Sequence, residues 1–160
     1  MSTGGAYEPI FVAKQPIFDR NMDIWGHELL FRHSADTNRA RITDADQATA
    51  KVIVDGFSLV QAGMGDKDKA LVNFPKRLLL DGSAELLPVA QVVVEILETV
   101  EPEPEVVEAC KRLKKAGYTL ALDDFVGQPG YEPLLELADI VKVDVLGMDD
   151  DRVRSVAGSL

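Results

Sequence analysis

Four short, nearly unbroken apolar runs, Ala70 to Phe74, Val92 to Leu97, Thr119 to Phe125 and Ile140 to Val145, recur along this chain with room for a helix between neighbours. Strands that read as continuous apolar runs are covered on both faces, which is the situation of a parallel sheet wrapped by helices. The intervening segments fit that reading. Pro104 to Ala116 has acids at its start (Glu101, Glu103, Glu105), bases at its end (Lys111, Arg112, Lys114, Lys115) and Gly117 as its stop, all matching the helix dipole. A shorter helical stretch is expected around Lys76 to Leu80, another over Tyr131 to Ala138, and the start of one more over Asp149 to Ala157.

The N-terminal part follows a different rhythm. Ile10 to Phe18 and Ile24 to Phe31 are β-rich and flank Asp19-Arg20-Asn21-Met22-Asp23, a turn composition, so the two segments form an antiparallel pair. After Thr43-Asp44, which suits a helix start, Ala48, Val52, Ile53, Phe57 and Val60 recur at helical spacing until Gly63. Residues 1 to 9 read as a disordered leader and residues 10 to 160 as one domain. The fold class is therefore α/β, and no Gly-rich loop follows the first strand as an open nucleotide-binding sheet would have it. A TIM-like (β/α) barrel fits, but eight units need roughly 250 residues and this chain has 160. The expectation is an incomplete barrel with an N-terminal hairpin, its C-terminal strands missing.

Composition narrows the function. Asp plus Glu number 27 against 17 Lys plus Arg, a net charge of -10 that disfavours binding to duplex nucleic acid. No apolar run reaches the roughly 18 residues that would span a bilayer, and the N-terminus has no secretory pattern, so no membrane partner is expected and the cytoplasm is the expected compartment. The single cysteine, Cys110, lies among Val106, Val107 and Leu113 at helical spacing and reads as a buried core thiol.

The chemistry lies in the polar residues that interrupt the apolar strands: Glu28, Asn73, Glu95, Asp123 with Asp124, and Lys142. A carboxylate in a buried strand costs several kcal/mol unless it is paired or bound to a cation. In a barrel the C-terminal strand ends converge on one site, and convergence would offset all these costs together. Four carboxylates and an amide oxygen are hard ligands suited to Mg²⁺ or Mn²⁺ rather than zinc. Two such cations can clamp the attacking water and the leaving oxygen of a phosphoryl displacement, with Lys142 orienting the water or a phosphate oxygen. His27 adjoins Glu28 and so faces the other way on a strand; it and His33 are read as surface or satisfied core histidines.

The same residues carry a resemblance. Gln15-Pro16-Ile17, Glu28-Leu29-Leu30-Phe31-Arg32, Val72-Asn73-Phe74, Glu95-Ile96-Leu97-Glu98, Ala121-Leu122-Asp123-Asp124-Phe125 and Lys142-Val143-Asp144 stand in the order of an EAL domain, the family of cyclic di-GMP phosphodiesterases. Phe11 to Asp19 looks most like the subgroup whose EAL-like barrel precedes an HD-related output domain. The resemblance implies metal ligation by Glu28, Asn73, Glu95 and Asp123, a second cation shared by Asp124, a phosphate contact from Arg32, ligand contact near Gln15, and Lys142 beside the catalytic water. It implies cyclic di-GMP as the ligand, opened in the family to a linear dinucleotide.

Three departures qualify it. Leu29 stands where the family's name motif has Ala, and the Gly-rich loop that in the family couples dimerisation to metal binding is replaced by Val126 to Pro133. The later strands, which in the family bring a further glutamate and a glutamine, are absent. The resulting expectation is a receptor or regulatory module of cyclic di-GMP signalling, inactive as the 160-residue chain. The alternatives are a metal-dependent phosphodiesterase in a complete parent protein and a self-associating fragment with exposed sheet edges.

Overall fold

The computed structural model describes residues 11–32 and 50–160. The proposed leader, Ile10, His33, Thr43-Asp44 and Ala48 lie outside the described residues. At the hairpin tip the Asp19 carboxylate accepts hydrogen bonds from the amides of Asn21 (2.8 Å) and Asp23 (3.0 Å), and Met22 takes a left-handed conformation with φ 66°. This turn joins β1 (Phe11–Phe18) to β2 (Ile24–Arg32) in an antiparallel pair, with Val12 opposite Phe31 and Gln15 opposite Glu28.

From β2 onward every pairing is parallel: β3 (Lys69–Phe74), β4 (Val92–Ile96), β5 (Thr119–Leu122) and β6 (Ile140–Val141) join in chain order to give a six-stranded sheet. The connecting helices are α1 (Ala50–Gln61), α2 (Lys76–Leu80) followed by a 3₁₀ turn, α3 (Pro104–Lys115) and α4 (Glu132–Leu135), and α5 (Asp150–Gly158) follows β6. This is a partial TIM-like barrel opened by an antiparallel hairpin.

The period-two alternation of each strand divides the core. Leu29, Ala70, Val72, Phe74, Val92, Val94, Ile96, Leu120 and Leu122 face the helices and pack with Ile53 and Phe57 of α1, Leu78 and Leu79 of α2, and Val106, Cys110 and Leu113 of α3. Cys110 is buried, and burial pushes its thiol up to about 11, so it is the inert core residue its spacing predicts. Facing the concave side are Leu71, Val93 and Ala121, with Ile17 and Ile140 against them. In α3, Pro104 opens the helix, and Gly117 at φ 96° lets the Tyr118 amide return to the Leu113 carbonyl at 3.1 Å.

Two strands end earlier than their apolar runs predict. β5 stops at Leu122 because Asp124 enters the left-handed region at φ 46° and turns the chain, although the Asp123 amide still donates to Ile96 at 2.9 Å. β6 spans only Ile140–Val141, although Lys142 still bonds through its amide to the Leu122 carbonyl at 2.8 Å and through its carbonyl to the Phe125 amide at 2.9 Å; beyond it the Asp144 carboxylate accepts from the Leu146 amide at 2.9 Å and turns the backbone. The helix expected over Tyr131 to Ala138 is one turn, Glu132–Leu135.

Candidate metal centre

Each parallel strand places one small or apolar residue on the concave face and, two residues later, one polar residue on the same face. The steps are Gly26 to Glu28, Leu71 to Asn73, Val93 to Glu95, Ala121 to Asp123 and Ile140 to Lys142. The sheet curls enough to bring these side chains together over the apolar layer. The Lys142 ammonium lies 3.1 Å from Glu28 Oε2 and 2.9 Å from Asp123 Oδ1, and it also donates to Glu95 Oε1. Asn73 Nδ2 reaches Glu28 Oε1 at 3.5 Å, the outer limit of a hydrogen bond.

Glu95 has 0% exposure on a strand whose residues are all buried. Burial pushes its carboxyl up to about 7, against the opposing pull of the Lys142 hydrogen bond. For Lys142 burial acts downward, but the hydrogen bonds to Glu95 and Asp123 outweigh it and hold the ammonium above the ordinary lysine range. Two oxygens of the cluster, Glu95 Oε2 and Asn73 Oδ1, are buried without a hydrogen-bond partner among the described residues. Leaving such atoms unpaired costs roughly 1–3 kcal/mol each, more when charged, so the site has acceptor capacity that a hard cation would satisfy.

A second carboxylate group adjoins the first. Glu98, Asp123 and Asp124 each offer one oxygen within 4.8 Å of the others. Asp124 is raised above the usual aspartate range by burial first and then by the neighbouring charges of Asp123, Glu98 and Asp144. Asp123 thus belongs to both groups. Sequence reasoning left Glu98 without a role; it lies in the turn just beyond the end of β4.

The remaining candidates lie on the approach. Gln15 is exposed and stands opposite Glu28 in register, and Arg32 is the last residue of β2. His27 is half-buried, and its Nδ1 is buried with no hydrogen-bond partner among the described residues. Among the described residues no helix is long and apolar enough to cross a membrane.

No family model matches the chain. A Vibrio cholerae protein named cyclic di-GMP phosphodiesterase CdgJ is 40% identical over 143 residues, which cover 89% of this chain and 33% of the relative. The chain spans about a third of the length of the curated relatives it matches. Among solved structures, the c-di-GMP-bound form of a standalone EAL protein from Vibrio cholerae O395 superposes with a TM-score of 0.63 at 23% identity, covering 97% of this chain and 76% of that one. The Klebsiella pneumoniae BlrP1 complex with calcium and cyclic di-GMP gives 0.67 at 21% identity, covering 90% and 42%.

Proposed function

The chain belongs to the EAL-domain family, and on that premise we propose that it forms part of a divalent-cation site that binds cyclic di-GMP in bacterial signalling. One observation carries the reading. Five strands deliver Glu28, Asn73, Glu95, Asp123 and Lys142 to one cluster in which two buried oxygens have no partner among the described residues. The donors are carboxylate and amide oxygens, the chemistry of Mg²⁺ or Mn²⁺. Glu28, Asn73, Glu95 and Asp123 would hold one cation, and Asp124 with Asp123 a second. When bound, such ions supply Lewis-acid polarisation of a phosphoryl oxygen and lower the pKa of a water.

The chain's own residues have defined tasks around that group. Lys142 keeps the carboxylates together by charge and holds its proton throughout the neutral range. The apolar layer of Leu71, Val93 and Ala121 closes the floor against water. Gln15 and Arg32 would supply an amide and a guanidinium for a phosphate or base of the dinucleotide.

Hydrolysis belongs in this reading to a longer parent chain, with the 160-residue chain acting in ligand binding. The loop from Val126 to Pro133, which departs from the family's Gly-rich form, favours the second reading of a regulatory receptor. Calorimetric titration of cyclic di-GMP with Mn²⁺ present, with Glu28→Ala as control, tests binding; saturable heat in the wild type that vanishes in the control is expected. Equal heats in both proteins would remove the site from the reading. Chromatographic detection of linear dinucleotide from the longer parent then separates phosphodiesterase from receptor.

A further inference from the structure

The loop that carries Asp124 is fastened at both ends by hydrogen bonds to neighbouring segments. On the near side Phe125 is buried, and its amide donates to the Lys142 carbonyl at 2.9 Å. The next residue, Val126, has both backbone groups engaged: its amide donates to Gln128 Oε1 at 2.9 Å, and its carbonyl accepts from Arg152 Nη2 at 3.1 Å. On the far side the Tyr131 hydroxyl contacts the carbonyls of Glu98 and Val100, each at 3.3 Å, which ties the loop to the segment carrying Glu98. Arg152 is itself fixed in the first turn of α5, where its amide donates to the capping Asp149 carboxylate at 2.8 Å, and α5 is anchored by buried Val156.

Asp124 adopts φ 46°, a left-handed conformation that aspartate enters more readily than most side chains but still less readily than glycine, and contacts around it hold it there. Loop Gly127 and Gly130 are freely left-handed and impose nothing. The restraint comes from the residues on either side of Asp124 and from the Val126 carbonyl two positions on. We propose that Arg152 is a positioning residue for the Asp123–Asp124 pair: by holding the Val126 carbonyl it keeps Asp124 turned towards Asp123 and Glu98, so that helix α5 is coupled mechanically to the acidic cluster. The consequence for cation binding rests on the reading above; the latch itself rests on the hydrogen bonds alone.

The sign of one substitution separates this role from simple electrostatics. Removing a positive charge near an acidic cluster favours cation binding, whereas releasing the latch weakens it. Arg152→Met keeps the aliphatic stem and drops every donor; Arg152→Lys keeps a donor and the charge. Mn²⁺ is titrated calorimetrically into the wild-type chain and both variants, amide hydrogen exchange is followed over residues 123–131, and thermal unfolding is recorded for each. Loss of one net hydrogen bond predicts Mn²⁺ affinity lower by about threefold to tenfold in Arg152→Met, and recovered to within about twofold in Arg152→Lys. Faster exchange over residues 123–131 with an unchanged unfolding midpoint accompanies it. Unaltered or tighter Mn²⁺ binding in Arg152→Met overturns the proposal, whatever the exchange rates do. If the wild-type chain binds no Mn²⁺, the cation reading fails, and exchange alone decides the latch: faster in Arg152→Met upholds it, unchanged overturns it.

Discussion

Lys142 Nζ and Glu28 Oε2 lie 3.1 Å apart although 114 positions separate the two residues in the chain. Their strands, β6 and β2, have β3, β4 and β5 between them. Four strand spacings in a flat sheet amount to roughly 19 Å, beyond the combined reach of the two side chains, so this contact reports the curl of the sheet directly. Lys142 compensates Glu95, a carboxylate with no exposure, as well as Glu28 and Asp123. Lys142→Met keeps the volume and removes the charge, and breaking a buried pair costs about 3–5 kcal/mol. The urea midpoint of the cation-free protein should fall by the corresponding amount, and Mn²⁺ should restore part of it by supplying positive charge to the same carboxylates. A variant as stable as the wild type would mean that Lys142 does not hold the cluster together.

Glu98 is exposed and contributes little to folding, yet its carboxylate lies within 4.8 Å of those of Asp123 and Asp124. Glu98→Gln is expected to lower Mn²⁺ affinity by about tenfold or more while leaving thermal unfolding unchanged. Calorimetry and differential scanning on one preparation check both halves of the statement.

Gly56 makes room for the hairpin. A Cβ at this position of α1 would stand 2.4 Å from Phe31 Cε1 and 2.7 Å from Cδ1, with Val12 Cγ2 at 3.1 Å. Alanine gains helix propensity worth about 1 kcal/mol, but overpacking against a seated aromatic ring costs about 1–3 kcal/mol. The clash should win because Phe31 is held between β2 and the helix layer. Gly56→Ala is therefore expected to destabilise the protein in a urea titration; a stabilised variant would show that the hairpin yields freely.

Asp139 joins α3 to the start of β6. Lys114 Nζ lies 2.6 Å from its Oδ1, and the Leu120 amide donates to its Oδ2 at 2.9 Å. Burial acts upward on this carboxyl, but the Lys114 and Leu120 hydrogen bonds together hold it below the ordinary aspartate value of 3.8. A depressed folded-state pKa gives stability that is complete above the unfolded value and is lost as the pH falls through the folded one. Asp139→Asn should cost about 0.5–1 kcal/mol near neutral pH, as befits a half-exposed pair, and the gap to the wild type should close below pH 3.8. Unfolding midpoints measured across that range test the sign.

Much of this was legible in the sequence because the strands announce themselves. The apolar runs located β3 and β4 to within a residue or so, and the polar interruptions named Glu28, Asn73, Glu95, Asp123 and Lys142, which the sheet gathers into one cluster. What escaped depends on backbone geometry that composition does not encode. Leu-Ala-Leu-Asp-Asp-Phe reads as one strand until Asp124 turns left-handed, and Ile-Val-Lys-Val-Asp-Val reads as one until the Asp144 turn ends it. Glu98 escaped because an acid in a loop after a strand is ordinarily solvated; only the fold brings the Asp123–Asp124 loop beside it. Arg152 lies 28 positions after Asp124, and nothing in its local sequence indicates that its guanidinium seeks the Val126 carbonyl.

The two-residue step from apolar floor to polar cluster sets a parity rule for how such a chain can change in length. One residue inserted between Val93 and Glu95, or between Leu71 and Asn73, would turn the polar residue to the helix side and carry an apolar neighbour into the centre, because strand faces alternate with every residue. Two inserted residues would preserve the facing and only lengthen the strand. Drift in length is thus confined to the loops and helices, where it shifts no side chain from one face of the sheet to the other.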